Sequence, residues 1–427
     1  MTEYAYVLLL LLLLLLLLLY FFLPLNSTAV DGHYIVALKS GVSADKHLKL
    51  HLNAFMVGSK STHSSNHPSS PISHIYDGHA FTGYSGHFDS LTLQRIRGHP
   101  DVAYVEPDQV VSISSTQQNA PWNIARLSTR TRLPASGPYT YNYDEYAGLG
   151  VNCYVIDTGI NIHHEDFGGR AVFGASFVGN EGDEDNNGHG THCAGTIAGT
   201  TYGVAKKARL IAVKVIDKNG VTSWSQVIAG INWAAQQHRD YERQGYVPGI
   251  DIGIGIGVGE KVPFKGSVIS LSIGGGYSKA TNEAVTNAVR AGCYVTIAGG
   301  NYAQDACSFS PASAQGGFTV GATDINDKFA SFSNYGQCLD ILAPGVQIAS
   351  AGHKCNTCVA YMSGTSMAAP AVGGVMATFA SQEQYRMTPE QMVQKLKSTA
   401  TSGSFGSSRG TLNGSPNLLL FNNYNTN

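Results

Sequence analysis

The chain has 427 residues, only 13% of them charged, and a formal net charge of −2. That balance argues against nucleic acid or an anionic membrane surface as a partner recognised through bulk charge. The length leaves room for two or three domains with ample core, and 49 glycines without a collagen period point to tight turns and closely packed helices.

The chain opens on an unbroken leucine run, Leu8 to Leu19, which stays apolar through Leu23. Ser27, Thr28 and Ala29 follow, the small residues a signal peptidase requires, so residues 1–29 are expected to be a secretory leader. Glu3 is atypical for such a leader, and no Lys or Arg precedes the leucines. The run is also nearly long enough to span a bilayer, which leaves an uncleaved anchor as the alternative. In a secretory context some of the seven cysteines pair, and an odd count leaves at least one free.

Residues 30–114 read as a small first unit of order β-α-β-α-β. His33–Leu38 is a strand, Ala44–Phe55 a helix carrying Leu48, Leu50, Leu52 and Phe55, and Ser59–Ser73 a loop. Phe81–Phe88 is a strand, Leu91–Arg97 a short helix, and Val102–Pro107 a closing strand. Nine of the fifteen histidines fall here: His33, His47, His51, His63, His67, His74, His79, His87 and His99. His79 and His87 flank the apolar strand, so acidification is expected to loosen the unit through them.

A polar linker, Ser112–Asn119, leads into residues 115–427, where strands and helices alternate. Strands are expected at Cys153–Ile156, Leu210–Val215, Val268–Ser272, Tyr294–Ala298 and Phe318–Ala322. Helices are expected at His189–Ala198, Ser225–Gln237, Thr281–Ala291, Thr365–Ser381 and Pro389–Ser398. Near-continuous apolar strands between helices predict an α/β fold, a mostly parallel sheet covered by helices on both faces, behind a small α+β unit. The Gly/Ile-alternating segment 249–259 reads as a surface insertion.

In such sheets ligands bind beyond the carboxyl ends of the strands. Asp157 ends Val155-Ile156-Asp157-Thr158-Gly159. His189 opens a helix within Gly188-His189-Gly190-Thr191-His192-Cys193. Asn301 ends Ala298-Gly299-Gly300-Asn301, and its amide is a neutral donor suited to a developing oxyanion. Ser366 lies in Gly364-Thr365-Ser366-Met367-Ala368-Ala369-Pro370. Proline is tolerated in the first turn of a helix, so Pro370 is expected to put Ser366 at or just before a helix N-terminus. Zinc is not expected on His189 and His192, because no Glu lies between them in an H-E-x-x-H pattern and no third ligand is nearby. An acid, a base, an oxyanion donor and a nucleophile thus follow in chain order. Asp…His…Ser is the subtilisin order, distinct from chymotrypsin and the α/β-hydrolases.

These stretches resemble the subtilases, most nearly the proteinase K branch, from about Asn119 to Tyr424. Tyr202-Gly203-Val204-Ala205, Ser270-Leu271-Ser272-Ile273-Gly274-Gly275-Gly276 and Ser310-Pro311-Ala312-Ser313 match as well. The resemblance implies that Ser366 attacks the peptide carbonyl, His189 relays its proton, Asp157 orients the imidazole, and Asn301 with the Ser366 N–H binds the oxyanion. It implies that Ser272, Ile273 and Gly274 line the pocket for the residue before the scissile bond. Gly220 and Trp224 would extend the cleft, favouring apolar or aromatic side chains. It implies disulfides Cys307–Cys338 and Cys355–Cys358, with Cys193 a free thiol; Cys153 and Cys293 read as buried core thiols. It also implies a structural calcium held by Asp340 with the backbone oxygens of Gln315 and Gly317. Two departures stand out: the family usually has Ala where Gly299 lies, and His where Ala371 follows Pro370.

The leading unit resembles the subtilase propeptide, a chaperone and inhibitor. The implied protein is a monomeric, secreted serine endopeptidase, matured by self-cleavage near Ser114–Ser115. It would act on protein and peptide substrates outside the cell or in a vacuole-like compartment, off the membrane once the leader is removed. The alternative is a protein that cuts itself once, keeps its propeptide in the cleft and acts as a binding module.

Overall fold

A computed structural model describes residues 29–56, 72–78, 80–109, 114–179, 181–249, 260–383, 385–405 and 412–424. The leader, most of the Ser/His/Pro loop, the expected cleavage point's upstream flank and the insertion from 250 to 259 lie outside the described residues, as do His63, His67 and His79. The chain forms two compact units, Met1–Val111 and Ser112–Asn427.

In the first unit, β1 (Ala29–Leu38), α1 (Ala44–Met56), β2 (Ile72–Asp77), β3 (Thr82–His87), α2 (Ser90–Arg97) and β4 (Val102–Gln109) follow in order. The strands form an antiparallel sheet of order β2-β3-β1-β4. Strand β2 was not expected. Its side chains are mostly exposed, so it carries no period-two signal and is held by backbone pairing to β3 at the sheet edge. Asp89 caps α2 by accepting from the Thr92 N–H, and Gly98 ends it. The core is small: Val36, Leu38, Leu48, Tyr84, Phe88, Leu93 and Ile96 are its main members.

The second unit begins with β5 (Ser114–Gln118), α3 (Trp122–Leu127) and β6 (Thr140–Asp144), β5 pairing antiparallel with β6. Then come β7 (Val151–Asp157), β8 (Ala171–Ser176), α4 (His189–Ala198), β9 (Arg209–Lys214), α5 (Trp224–Gln244), β10 (Tyr246–Pro248), β11 (Lys261–Pro263) and β12 (Gly266–Leu271). Next are β13 (Gly275–Gly276), α6 (Lys279–Arg290), β14 (Tyr294–Ala298), β15 (Phe309–Ser310), β16 (Phe318–Thr323), β17 (Ile341–Pro344), β18 (Ile348–Ala351) and β19 (Val359–Met362). The unit closes with α7 (Thr365–Gln382), α8 (Pro389–Thr399), β20 (Thr401–Ser402) and β21 (Leu418–Leu419).

The main sheet runs β20-β21-β17-β16-β14-β12-β7-β9-β8 and is parallel except for the β20–β21 pair. The five expected strands are its contiguous centre, where burial on both faces makes the sequence mostly apolar. The strands not foreseen are short or lie at the edges. Helices α4 and α7 cover one face and α5 and α6 the other, giving two cores divided by the sheet. The small residues of α7 bring it against its neighbours: a Cβ on Gly374 would lie 2.6 Å from Val204 Cβ and 2.9 Å from Ile197 O. Helix α5 outruns its expected end by two turns because its residues after His238 are mostly charged and carry no apolar period, and Gly245 at φ 78° stops it.

Candidate active site

Asp157 ends the central strand β7 and is fully buried. Its Oδ1 and Oδ2 lie 2.8 and 2.9 Å from Nδ1 of His189, the first residue of α4, and Oδ1 also accepts from the Thr158 N–H at 2.7 Å. Burial alone would lower the His189 pKa. The charge of Asp157 and its hydrogen bond outweigh that and hold the imidazole well above its usual 6.5.

The turn before α4 is fixed by Asp185, which the sequence reading missed. This buried carboxylate accepts from the N–H groups of Asn187, Gly188 and Thr191 and from the hydroxyls of Thr158 and Thr191, all within 3.1 Å. Thr158 Oγ1 in turn accepts from the Gly190 N–H at 2.9 Å. The signal was present as an acidic residue with Asn-Asn-Gly immediately after it, a turn composition just ahead of a helix. His192, one turn on, is buried, bonds through Nε2 to Ile348 O at 2.9 Å, and is pushed down to about 4 by burial. It is a neutral structural residue.

Ser366 is the second residue of α7, and Pro370 is the sixth. The proline therefore lies past the first turn, deeper than expected. Having no N–H, it leaves the Ser366 carbonyl without its i+4 helix partner. Two side chains take that place: Ser272 Oγ donates to Ser366 O at 2.9 Å and the Cys193 thiol at 3.3 Å. The Ser366 hydroxyl donates to Ser272 O at 3.2 Å. Cys193 Sγ also lies 3.9 Å from His189 Nδ1, so one buried thiol touches both the serine and the histidine. Burial raises the Cys193 pKa and keeps it a neutral thiol.

Asn301 stands beside Ser366. Its Oδ1 accepts from both the N–H and the hydroxyl of Thr365 at 2.9 Å, and Thr365 Oγ1 accepts from the Gly300 N–H at 3.0 Å. With the amide oxygen so engaged, the Nδ2 end is the free end. A Cβ on Gly364 would fall 3.3 Å from Asn301 Nδ2 and 3.5 Å from the Ser366 N, so Gly364 keeps open a small space that both donors border. Thr365 was missed because a helix-capping threonine is the ordinary reading of its position.

Ser272 and Ile273 are buried just after β12, and Gly274 is exposed. Trp224 starts α5 with its ring against Gly275, and Gly220 is exposed at φ 79° in the turn before that helix. Asp340 Oδ2 accepts from the Thr319 N–H at 2.9 Å, while Oδ1 lies 2.8 Å from Lys397 Nζ. The Gln315 carbonyl accepts from Thr286 Oγ1 at 3.0 Å. Cys307–Cys338 and Cys355–Cys358 are bonded, and Cys153, Cys193 and Cys293 are buried free thiols.

Residues 148–415 match the subtilase family, and residues 33–114 match the peptidase inhibitor I9 family. The chain belongs to the subtilase family. It is 43% identical over 355 residues to the subtilisin-like serine protease Pen ch 18 of Penicillium rubens, covering 80% of this chain and 67% of that protein. It is 39% identical over 418 residues to subtilisin-like protease 8 of Arthroderma otae, covering 93% and 82%. A solved structure of a cold-adapted subtilisin-like serine proteinase superposes with a TM-score of 0.61 at 40% identity, covering 72% of this chain and all of that one. The protein is thus a subtilisin-like serine endopeptidase with an inhibitor propeptide ahead of it. At one departure from the subtilase pattern, the packing explains the glycine. A Cβ on Gly299 would lie 2.7 Å from Leu339 Cδ2 and 3.0 Å from Val320 O.

If Thr365 orients Asn301, Thr365→Val removes one bond to Oδ1 and the acceptor of the Gly300 N–H while keeping the shape. We expect kcat for peptide hydrolysis to fall by less than the ~10²–10³ known for losing an oxyanion donor outright in subtilisin, with KM little changed. A rise in KM at constant kcat would assign Thr365 to substrate binding instead.

Proposed function

We propose that the site hydrolyses peptide bonds through Asp157, His189 and Ser366, with Asn301 and the Ser366 N–H as oxyanion donors. The observation that carries this is the pair of buried Asp157 and half-buried His189, sharing the Cys193 thiol with the Ser366 backbone. His189 takes the Ser366 proton as the hydroxyl leaves Ser272 O and attacks the carbonyl, then returns it to the leaving amine. Asp157 holds the imidazole and stabilises its charged form. The developing oxyanion sits in the space beside Gly364. Ser272, Ile273 and Gly274 receive the side chain before the scissile bond, with Gly220 and Trp224 further along an extended substrate. An apolar or aromatic preference is the accompanying expectation, supported by the apolar Ile273 at this position.

Residues 1–29 are a secretory signal, 30–114 an inhibitor and chaperone, and 115–427 the peptidase, which cuts itself free and works as a secreted monomer on protein substrates. Among the described residues no helix is long and apolar enough to cross a membrane. Ser366→Ala should therefore accumulate as a precursor that retains the propeptide, and the separated wild-type peptidase should hydrolyse casein and react with a serine-directed phosphonate. Normal processing of the Ser366→Ala chain would assign the cut to another protease. A matured wild type inert to casein would favour the propeptide-bound binding module.

A general base must be neutral to act, and His189 is held above 6.5. Activity should therefore rise through an ionisation on the alkaline side of 6.5. The linked stability has the opposite slope. It is fully present below about 6.5 and fades as pH climbs through the raised folded-state value. NMR titration of His189 in Ser366→Ala should show that ionisation, and Asp157→Asn should bring it back toward 6.5. An unshifted titration in Asp157→Asn would remove Asp157 as the cause.

A structural calcium on Asp340, with the Gln315 and Gly317 carbonyls, is the accompanying proposal. The donor set is hard oxygen, as calcium requires, but Lys397 stands on the outer carboxylate oxygen and would have to turn away. Lys397 is half-exposed, so its bond contributes little on its own, about 0–1 kcal/mol. Lys397→Gln should then tighten calcium and enlarge the drop in melting temperature on chelation, and Asp340→Asn should abolish that drop. A chelator response that is the same in wild type and Asp340→Asn places the ion elsewhere.

A further inference from the structure

We propose that the leading unit carries a site for a zinc-class divalent cation, formed by His47, His51, His99 and Asp101. The four residues each present one donor atom, and these atoms all lie within 4.8 Å of one another. Tetrahedral zinc with nitrogen ligands at about 2.0–2.1 Å needs donors roughly 3.4 Å apart, so a small contraction of existing side chains would close the site. Three imidazoles and one carboxylate suit zinc and its first-row neighbours, whereas calcium and magnesium prefer all-oxygen sites.

The fold explains why the four meet. His47 and His51 are one helical turn apart on α1 and so project from the same face. His99 and Asp101 belong to the turn between Gly98, which ends α2, and β4. That turn is stiff: Val102 N–H bonds to His99 O at 3.1 Å, and Asp101 N–H faces His99 Nδ1 at 3.2 Å. Asp101 Oδ2 lies 3.1 Å from His47 Nδ1 and 3.8 Å from His99 Nδ1. The ring centroids are 5.1 Å apart for His47–His51, 4.8 Å for His47–His99 and 4.4 Å for His51–His99. His47 is buried and stacks on the core residue Tyr84, which anchors the innermost ligand, while the other three are half-buried and leave an entry path.

A cation there would tie α1 to the α2–β4 turn in a unit whose apolar core is small. Small domains commonly take part of their stability from such a bond. The histidines singled out from sequence for flanking the apolar strand are different ones. His87 is exposed at the end of β3, its ring edge-on to His33 at 5.3 Å.

The test uses the full Ser366→Ala chain, verified by mass to retain the leading unit, titrated with Co(II) as spectroscopic probe and with Zn(II) in competition. We expect one equivalent of Co(II) with the strong visible absorption of four-coordinate cobalt, displaced by Zn(II), and a Zn(II)-dependent rise in the melting temperature of the leading unit. His51→Gln and Asp101→Asn, both on partly exposed residues, should each weaken binding by at least ~10-fold with an unchanged far-ultraviolet circular dichroism spectrum. His189→Ala should leave it intact. This last variant matters because Asp157, His189 and Cys193 form the other such cluster among the described residues. Absence of a cobalt spectrum and of a zinc-dependent melting shift overturns the proposal. So does a signal that follows His189 and ignores His51 and Asp101.

Discussion

One missing hydrogen bond organises the candidate site. Because Pro370 has no N–H, the carbonyl of Ser366 cannot be satisfied inside its own helix. Ser366 is only half-buried, but an unpaired carbonyl costs up to roughly 1–3 kcal/mol where water cannot reach it, so the replacement bonds stabilise the turn. Ser272, arriving from the end of β12, and Cys193, arriving from α4, supply them. The two elements that flank α7 are thereby registered against the serine's own backbone. Ser366 is held by its carbonyl, which leaves its hydroxyl tied only to Ser272 O at 3.2 Å.

The charge arrangement has a comparable logic. His189 opens α4, and the N-terminal end of a helix disfavours a cation. Burial disfavours it again. Asp157, fully buried within 2.9 Å, reverses both. The buried carboxylate is in turn stabilised by the histidine and the Thr158 N–H. Lys214, also fully buried, secures the segment after β7 by donating to Thr158 O and Ile216 O while pairing with Glu181. An imidazole held above its ordinary value is the outcome.

The central strands and most helices were legible because their burial is uniform and their periods are unbroken. Tyr294–Ala298 and His189–Ala198 have the expected bounds. What was not legible depends on pairing or on contacts distant in sequence. Strand β2 is largely exposed and is defined by its neighbour. Asp185 and Thr365 look like ordinary turn and cap residues until five donors converge on the first and an amide oxygen on the second. Pro370 was correctly read as a constraint on Ser366 but placed one turn too near the helix start. The constraint proved to act through a lost acceptor bond. Nothing in the sequence near Asp340, expected as a calcium ligand, announces that Lys397, 57 positions on, pairs with it.

The segment bearing Asn301 is likewise kept in place by contacts distant in sequence. Gly299 and Gly300 give it little side-chain packing of its own. Asn334, fully buried, grips it from the far side: its Nδ2 donates to Gly299 O, its N–H to Gly300 O, and its Oδ1 accepts from the N–H groups of Tyr302 and Gln304. The Cys307–Cys338 disulfide closes a loop of 31 residues that contains Asn334 and begins just beyond Gln304. On the chain-entropy account such a closure contributes about 3–4 kcal/mol by restricting the unfolded chain. The disulfide and Asn334 therefore act on one object from two directions: one limits the alternatives of the unfolded loop, and the other specifies its folded path. Asn301, fixed on one side by Thr365 and on the other by the Asn334-bound segment, has little freedom left except at the Nδ2 end.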